Sequence, residues 1–176
     1  MTRLVAGDAR MSALVAKLAT AIARANRDTK SLALVGIKRR GVPLARRIAA
    51  RINKSRRVKV PVGAIDITLY RDDLQMVAET PIVRGTEIDF DINGRTLVLV
   101  DDVIYTGRTT RAALSELLDF GRPKAILLAV LVDRGHRELP IQPDFAGLVL
   151  KTRPRDLVDI YLMETDGREA VYLTRK

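Results

Sequence analysis

The chain has 176 residues and a mass of 19.5 kDa, the size of one globular domain, and its 47% hydrophobic and 30% charged residues can build both a core and a solvated surface. It has no cysteine and one histidine, His136, which excludes disulfides, thiol catalysis and cysteine or multi-histidine metal sites and fits a reducing cytosol. The net charge of +10 is uneven: residues 1–60 hold 16 Lys and Arg against Asp8 and Asp28, a net of +14, whereas residues 61–176 hold 15 basic and 19 acidic residues, a net of −4.

Asp8 is placed to cap a helix running to about Ala25, with Met11, Leu14, Val15, Leu18 and Ile22 on one face at helical spacing. The short apolar run Ser31–Ile37 reads as a buried strand. Gly41–Pro43 opens a second helix to about Lys54, which buries Ala45, Ile48 and Ile52 and turns Arg46, Arg47, Arg51 and Lys54 elsewhere. Val60–Leu69 is rich in β-formers. Tyr70–Asn93 is polar and without strong period, a length of loop that in a compact domain is functional or disordered. Arg95–Val103 reads as a strand, and a helix follows from about Arg108 to Phe120, ended by Gly121 and Pro123. Ala125–Val132 is another buried strand, and Gly147–Leu150, Leu157–Met163 and Ala170–Thr174 read as later ones. Continuous apolar strands alternating with helices predict an α/β fold with a mostly parallel sheet covered on both faces. Ligands of such sheets bind at the carboxyl ends of the strands, where the unusual polar clusters of this chain fall.

No Pro/Gly/Ser linker, repeat or low-complexity stretch divides the chain, so a single domain, 1–176, is expected. No apolar run approaches the ~18–20 residues that span a bilayer, and the first ten residues lack the apolar core of a signal peptide. A cytoplasmic protein without a membrane partner is expected. The basic first third attracts polyanions or serves as a solubilising surface.

The strongest signal is the run Leu97–Thr110, LVLVDDVIYTGRTT. A buried strand delivers two adjacent carboxylates, Asp101 and Asp102, to its carboxyl end. Tyr105, Thr106, Gly107, Arg108, Thr109 and Thr110 then lead into a helix. Free N–H groups and hydroxyls backed by the helix dipole form a cradle for a phosphate monoester, and Gly107 allows close backbone approach. Paired carboxylates suit two vicinal hydroxyls, as on a ribose, or outer-shell contact with Mg²⁺. Together these features point to a sugar phosphate. The segment lacks the Gly-Lys-Ser/Thr ending of a Walker A loop. A second segment, Ile37, Lys38, Arg39, Arg40 and Gly41, ends a strand with backbone donors and three cations, a combination that suits pyrophosphate.

The run Leu97–Thr110 resembles the phosphoribosyl-pyrophosphate (PRPP) signature of type I phosphoribosyltransferases. With Val35–Gly41, Asp66–Leu74 and Leu131–Pro140 taken in order, essentially the whole chain resembles the PyrR family, bifunctional pyrimidine-operon attenuators that retain uracil phosphoribosyltransferase activity. The resemblance implies a type I phosphoribosyltransferase fold with a small hood and the reaction of uracil with PRPP to give UMP and pyrophosphate. It implies 5′-phosphate binding by Tyr105–Thr110, pyrophosphate binding by Ile37–Gly41, and catalytic roles for Asp101, Asp102 and Arg71. A flexible lid is implied at about residues 70–93, with Leu69, Tyr70, Asp72 and Asp73, and a base hood at about 133–150, where Val132, Asp133, Arg134 and His136 meet uracil. Mg²⁺ is implied as cofactor, held mostly indirectly by Asp101 and Asp102.

The resemblance further implies binding of pyrimidine-operon messenger RNA, with a contribution from Arg137, and a homodimer or larger homo-oligomer. The chain has Gln142 and Leu148 where the family carries basic residues, and Ala16 and Thr20 where RNA-binding members carry threonine and histidine. The alternative reading is an RNA-binding attenuator with weak or no transferase activity.

Overall fold

In the computed structural model the described residues are 1–67 and 85–176. The expectations for Leu69, Tyr70, Arg71, Asp72 and Asp73 lie outside them. The elements in chain order are β1 (Thr2–Ala6), α1 (Asp8–Ala25), β2 (Leu32–Ile37), α2 (Gly41–Arg56), β3 (Val62–Ile65), β4 (Thr96–Ile104), α3 (Arg108–Asp119), β5 (Ala125–Asp133), β6 (Phe145–Val149), β7 (Leu157–Tyr161), α4 (Met163–Asp166) and β8 (Ala170–Thr174).

The main sheet has five strands in the order β3-β2-β4-β5-β6, every pair parallel. Its strands are apolar at successive positions because both faces are buried. Leu32, Leu34, Val98, Val100, Ala129 and Leu131 face one core with α1 and α2, while the intervening Ala33, Val35, Leu97, Leu99, Leu128 and Val130 face the other with α3. Helix α1 presents Met11, Leu14, Val15, Leu18 and Ile22 to the first core, as its spacing predicts. Gly7, in extended backbone, occupies the N-cap instead of Asp8, which is the first helical residue and lends its charge to the positive helix start.

The second sheet, β1-β8-β7, is antiparallel and joins the two ends of the chain, with Thr2 opposite Thr174 and Leu157 opposite the same residue on the other side. It packs Ala6, Ile160, Leu162 and Val171 onto the α1–α2 core. Of the polar stretch 70–93, the described end is anchored. Ala64 and Glu87 exchange two backbone hydrogen bonds of 2.8 Å, and Ile92 is buried in the α3 core. Parallel pairing puts the carboxyl ends of β2, β4 and β5 together, so residues 37–41, 101–110 and 133–137 converge on one pole of the sheet.

Candidate active site

Strand β4 runs through the acidic doublet to Ile104. Asp101 is 8% exposed, and its Oδ1 accepts the Asp102 amide at 2.8 Å. Asp102 Oδ1 accepts the Val103 amide at 2.8 Å. Burial pushes the Asp101 carboxyl well up from the usual carboxylate range, and the adjacent Asp102 charge pushes the same way. Burial also raises Asp102, against the hydrogen bond from Asp101 and the attraction of Arg40. Two desolvated acids in contact form a site that gains from a cationic or hydrogen-bond-donating ligand.

After Ile104 the chain turns through Tyr105 and Thr106 to Gly107, whose φ of 94° lies in the left-handed region that favours glycine. No side chain caps α3, so its first-turn amides keep no intrahelical acceptor. The Arg108 amide makes a long 3.4 Å contact with Thr106 Oγ1. Thr109 is exposed at this turn and Thr110 is buried beneath it. The loop is held from behind, since Thr106 O accepts the amides of Glu138 (2.9 Å) and Leu139 (3.2 Å). Arg108 itself pairs with Glu138 at 2.9 Å on the surface.

The 37–41 loop reaches the doublet because two glycines permit it. A Cβ on Gly41 would lie 2.3 Å from Val100 O, and one on Gly36 would lie 2.5 Å from Gly41 O. Helix α2 therefore starts directly against β4, one residue before Asp101. The Lys38–Arg39 peptide is cis. Lys38 Nζ pairs with Glu87 at 3.0 Å. Arg40 grips both carboxylate oxygens of Asp166, at 2.8 and 3.0 Å, and this guanidinium holds Asp166 well below the usual carboxylate range. Arg39 and Arg46 are exposed without an ion-pair partner among the described residues. With Lys38, Pro43 and Thr165 they line a cavity of about 360 Å³.

Behind β5 the segment 133–137 is rigidly built. Asp133 Oδ1 accepts the Gly135 amide at 2.9 Å, and Oδ2 accepts Arg137 at 2.6 Å. Arg134 is buried, donates to Asp156 O at 2.7 Å and lies 4.1 Å from the centre of the Tyr105 ring. His136 Nε2 lies 2.8 Å from Thr152 O and 3.1 Å from Thr152 Oγ1, which ties its ring to the chain after β6. Arg137 also donates to Tyr105 O and Ile141 O, both at 3.0 Å, and its side chain is only 10% exposed. In this conformation Arg137 clasps the loop after β5 to the loop after β4. A cavity of about 530 Å³ is lined by Asp133, Arg134, His136, Arg137, Lys151 and Thr152, among others.

The structure brings together Asp101, Asp102, Tyr105–Thr110, Ile37–Gly41 and Val132–Arg137. Asp166, Glu87 and Thr152 were missed by sequence reasoning. Asp166 is 126 positions from Arg40, and no local spacing marks such a pair. For Mg²⁺ the chemistry of the donor set is the test. Among the described residues no group of three or more His, Asp or Glu converges. Two adjacent carboxylates fit a Mg²⁺ bound chiefly through substrate oxygens and water rather than in a protein cage.

Residues 9–152 match the family model described as a phosphoribosyl transferase domain. The chain is 55% identical over 157 residues to "Bifunctional protein PyrR" of Pelotomaculum thermopropionicum, covering 89% of this chain and 87% of that one. It is 54% identical over 160 residues to the protein of the same name from Thermus aquaticus, covering 91% and 88%. Among solved structures, a hypoxanthine phosphoribosyltransferase from Trypanosoma cruzi superposes with a TM-score of 0.75 at 18% identity, covering 98% of this chain and 94% of that one. One from Staphylococcus aureus gives 0.73 at 16%, covering 99% and 91%. These two show a shared fold.

Proposed function

The chain belongs to the phosphoribosyltransferase family and, within it, to the bifunctional PyrR proteins; on that premise we propose that it transfers the phosphoribosyl group of PRPP to uracil, giving UMP and pyrophosphate, and regulates pyrimidine genes by binding messenger RNA. The observation that carries the enzymatic half is the adjacent Asp101–Asp102 pair, the first buried and the second half-buried, continuous in one strand and turn with the start of α3, whose first-turn amides keep no intrahelical acceptor.

In this reading Tyr105–Thr110 hold the 5′-phosphate against the positive end of α3. Asp101 and Asp102 accept the ribose hydroxyls and favour the positive charge that develops on the sugar as the C1–pyrophosphate bond breaks. A ring nitrogen of uracil bonds to C1 and gives up its proton, while pyrophosphate departs with the bonding pair. Lys38, Arg39 and the amides through Gly41 receive that charge, with Arg71 adding to it. Asp101 and Asp102 would hold Mg²⁺, mostly indirectly, and the ion would supply Lewis-acid neutralisation of the leaving group's charge. Val132, Asp133, Arg134 and His136 position the base, chiefly through backbone groups, under a hood at about 133–150. The lid at about 70–93, with Leu69, Tyr70, Asp72 and Asp73, excludes water that would otherwise capture the activated sugar. No covalent nucleophile is required; orientation and fixed charge suffice. The presence of doublet, cradle and basic loop together in this one chain argues against an attenuator that has lost turnover.

A single domain, a cytoplasmic location and a homodimer or larger assembly complete the proposal. No helix among the described residues is long and apolar enough to cross a membrane. The test is pyrophosphate release from PRPP with uracil, cytosine, hypoxanthine and adenine offered separately. Uracil should be used at least ~10²-fold faster than the purines, the scale on which a site built for one set of hydrogen bonds rejects another. Equal or faster use of hypoxanthine contradicts the assignment.

A further inference from the structure

Helix α2 begins with a cation where its own dipole disfavours one. Its N-cap is Arg40, no side chain caps it, and its first turn carries no acid. Serine, threonine, aspartate or asparagine is the usual choice at such a position, and the positive end of a helix attracts negative charge. The start of α2 also stands directly against β4, one residue before Asp101, because Gly41 has no side chain. A guanidinium at this point keeps a fixed position only when another group holds it.

Asp166 is that group. Arg40 Nε donates to Asp166 Oδ2 at 3.0 Å and Nη2 donates to Oδ1 at 2.8 Å. Two parallel bonds fix the plane of a guanidinium as well as its place. The carboxylate is fixed in turn. Its Oδ2 also accepts the Leu162 amide at 2.9 Å and the Thr165 hydroxyl at 2.6 Å, and Leu162 is fully buried in the α1–α2 core. The grip uses one edge of the guanidinium. Nη1 donates to no group among the described residues, and the Arg40 side chain is 37% exposed.

Tethering the second sheet to α2 does not account for this pair. Arg47, seven residues further along α2, already binds Glu164 and Glu169, which lie on either side of Asp166 in the chain. Arg40 differs from Arg47 in its place. It belongs to the basic loop 37–41, and it and the Asp102 carboxylate attract each other.

We propose that Asp166 is a positioning residue for the transfer, holding Arg40 against the helix dipole so that Nη1 is presented to the pyrophosphate of PRPP. The inference rests on the pyrophosphate-binding reading of residues 37–41 and adds a residue outside that loop on which its alignment depends. Asp166 acts through Arg40 and touches no substrate. Without the Asp166 charge, the dipole of α2 drives Arg40 away from the helix start. Binding that uses Arg40 then weakens, while binding through the 5′-phosphate and ribose does not. PRPP carries the pyrophosphate and UMP lacks it, so the two ligands separate a positioning role from a general loss of structure.

Calorimetric titration with PRPP and with UMP, in buffer containing Mg²⁺, tests this on the full chain. The variants are Asp166→Asn, Asp166→Glu, Arg40→Gln, the double variant Arg40→Gln/Asp166→Asn, and the control Glu169→Gln, which removes a charge of the same segment that pairs with Arg47 rather than Arg40. Asp166→Asn should bind PRPP about tenfold more weakly, the scale of one hydrogen bond to a charged group, and should bind UMP as the parent does. In steady-state transfer its KM for PRPP should rise by a larger factor than its kcat falls. Arg40→Gln should lose as much affinity for PRPP, and adding Asp166→Asn to it should cost no more than about twofold further, because a residue that acts through another is not additive with it. Asp166→Glu should recover part of the loss, and Glu169→Gln should bind both ligands like the parent. Equal loss of PRPP and UMP in Asp166→Asn, the same loss in Glu169→Gln, or full additivity with Arg40→Gln makes the pair a tether and overturns the proposal. If Arg40→Gln weakens PRPP and Asp166→Asn does not, the positioning role falls while the pyrophosphate loop stands. If neither weakens PRPP, the reading of the loop falls with it.

Discussion

Asp101 and Asp102 are expensive groups to bury side by side, and their chemistry depends on their charge rather than on their size. Replacing Asp102 by Asn keeps its volume and removes the charge that the proposed reaction sets against the developing cation. The transfer rate should drop at least ~10²-fold, the scale of one preorganised electrostatic contact, with little change in unfolding; near-parent turnover would take Asp102 out of the reaction. Glu116 is a different case. It is 6% exposed, Oε1 accepts the Thr86 hydroxyl, and Oε2 is buried with no partner among the described residues. Burial pushes its carboxyl up from 4.5, the charges of Asp66 and Asp119 push the same way, and the Thr86 hydrogen bond opposes them. A raised folded-state value means that the native protein holds the proton more tightly than the unfolded chain. Stability from this group is therefore full below about pH 4.5 and is lost as pH rises through the folded value. Urea unfolding of Glu116→Gln should show the variant more stable than the parent at pH 8, by about 1 kcal/mol, the scale of one unsatisfied buried polar atom. The two should converge near pH 4.5. A variant weaker than the parent at pH 8 would mean that the ionised carboxylate supports the fold.

At the scale of elements, the site depends on how closely α2 starts against β4. Gly41→Ala places a methyl 2.3 Å from Val100 O, so the helix start and the basic loop must shift. We expect about 1–3 kcal/mol of destabilisation, the range for overpacking, and a rise in the KM for PRPP larger than the fall in kcat. Parent-like KM and stability would show that the loop tolerates the gap. Elements β2, β4 and β5 were legible as uninterrupted apolar runs because both of their faces are buried, and α1 was legible because its stripe is regular. Strand β1 was not, because TRLVA acquires its meaning only from β8, with Thr2 and Thr174 bonded across 172 positions. The doublet and its cradle could be read because they are contiguous. The partners of Arg40 and Arg137 could not, since tertiary packing alone selects Asp166 for one and the carbonyls of Tyr105 and Ile141 for the other.

On the scale of the whole molecule, the main sheet separates two kinds of positive charge. At its carboxyl-end pole the cations are mostly held by internal acids and frame the buried Asp101 and its half-buried neighbour Asp102. At its amino-end pole Arg27, Lys30, Arg57, Lys59, Arg122 and Lys124 form no ion pair among the described residues. Net composition showed only that the first third is basic; the parallel topology assigns that charge to opposite ends of one sheet. The central claim is that the turn after β4 holds the phosphate of a nucleotide while the acidic pair holds its ribose. A structure of the complex with UMP tests it most directly. The phosphate should lie within hydrogen-bond distance of amides among residues 106–110, with both ribose hydroxyls on Asp101 and Asp102. A nucleotide bound elsewhere, or a doublet turned away into ion pairs within the chain, would contradict the account.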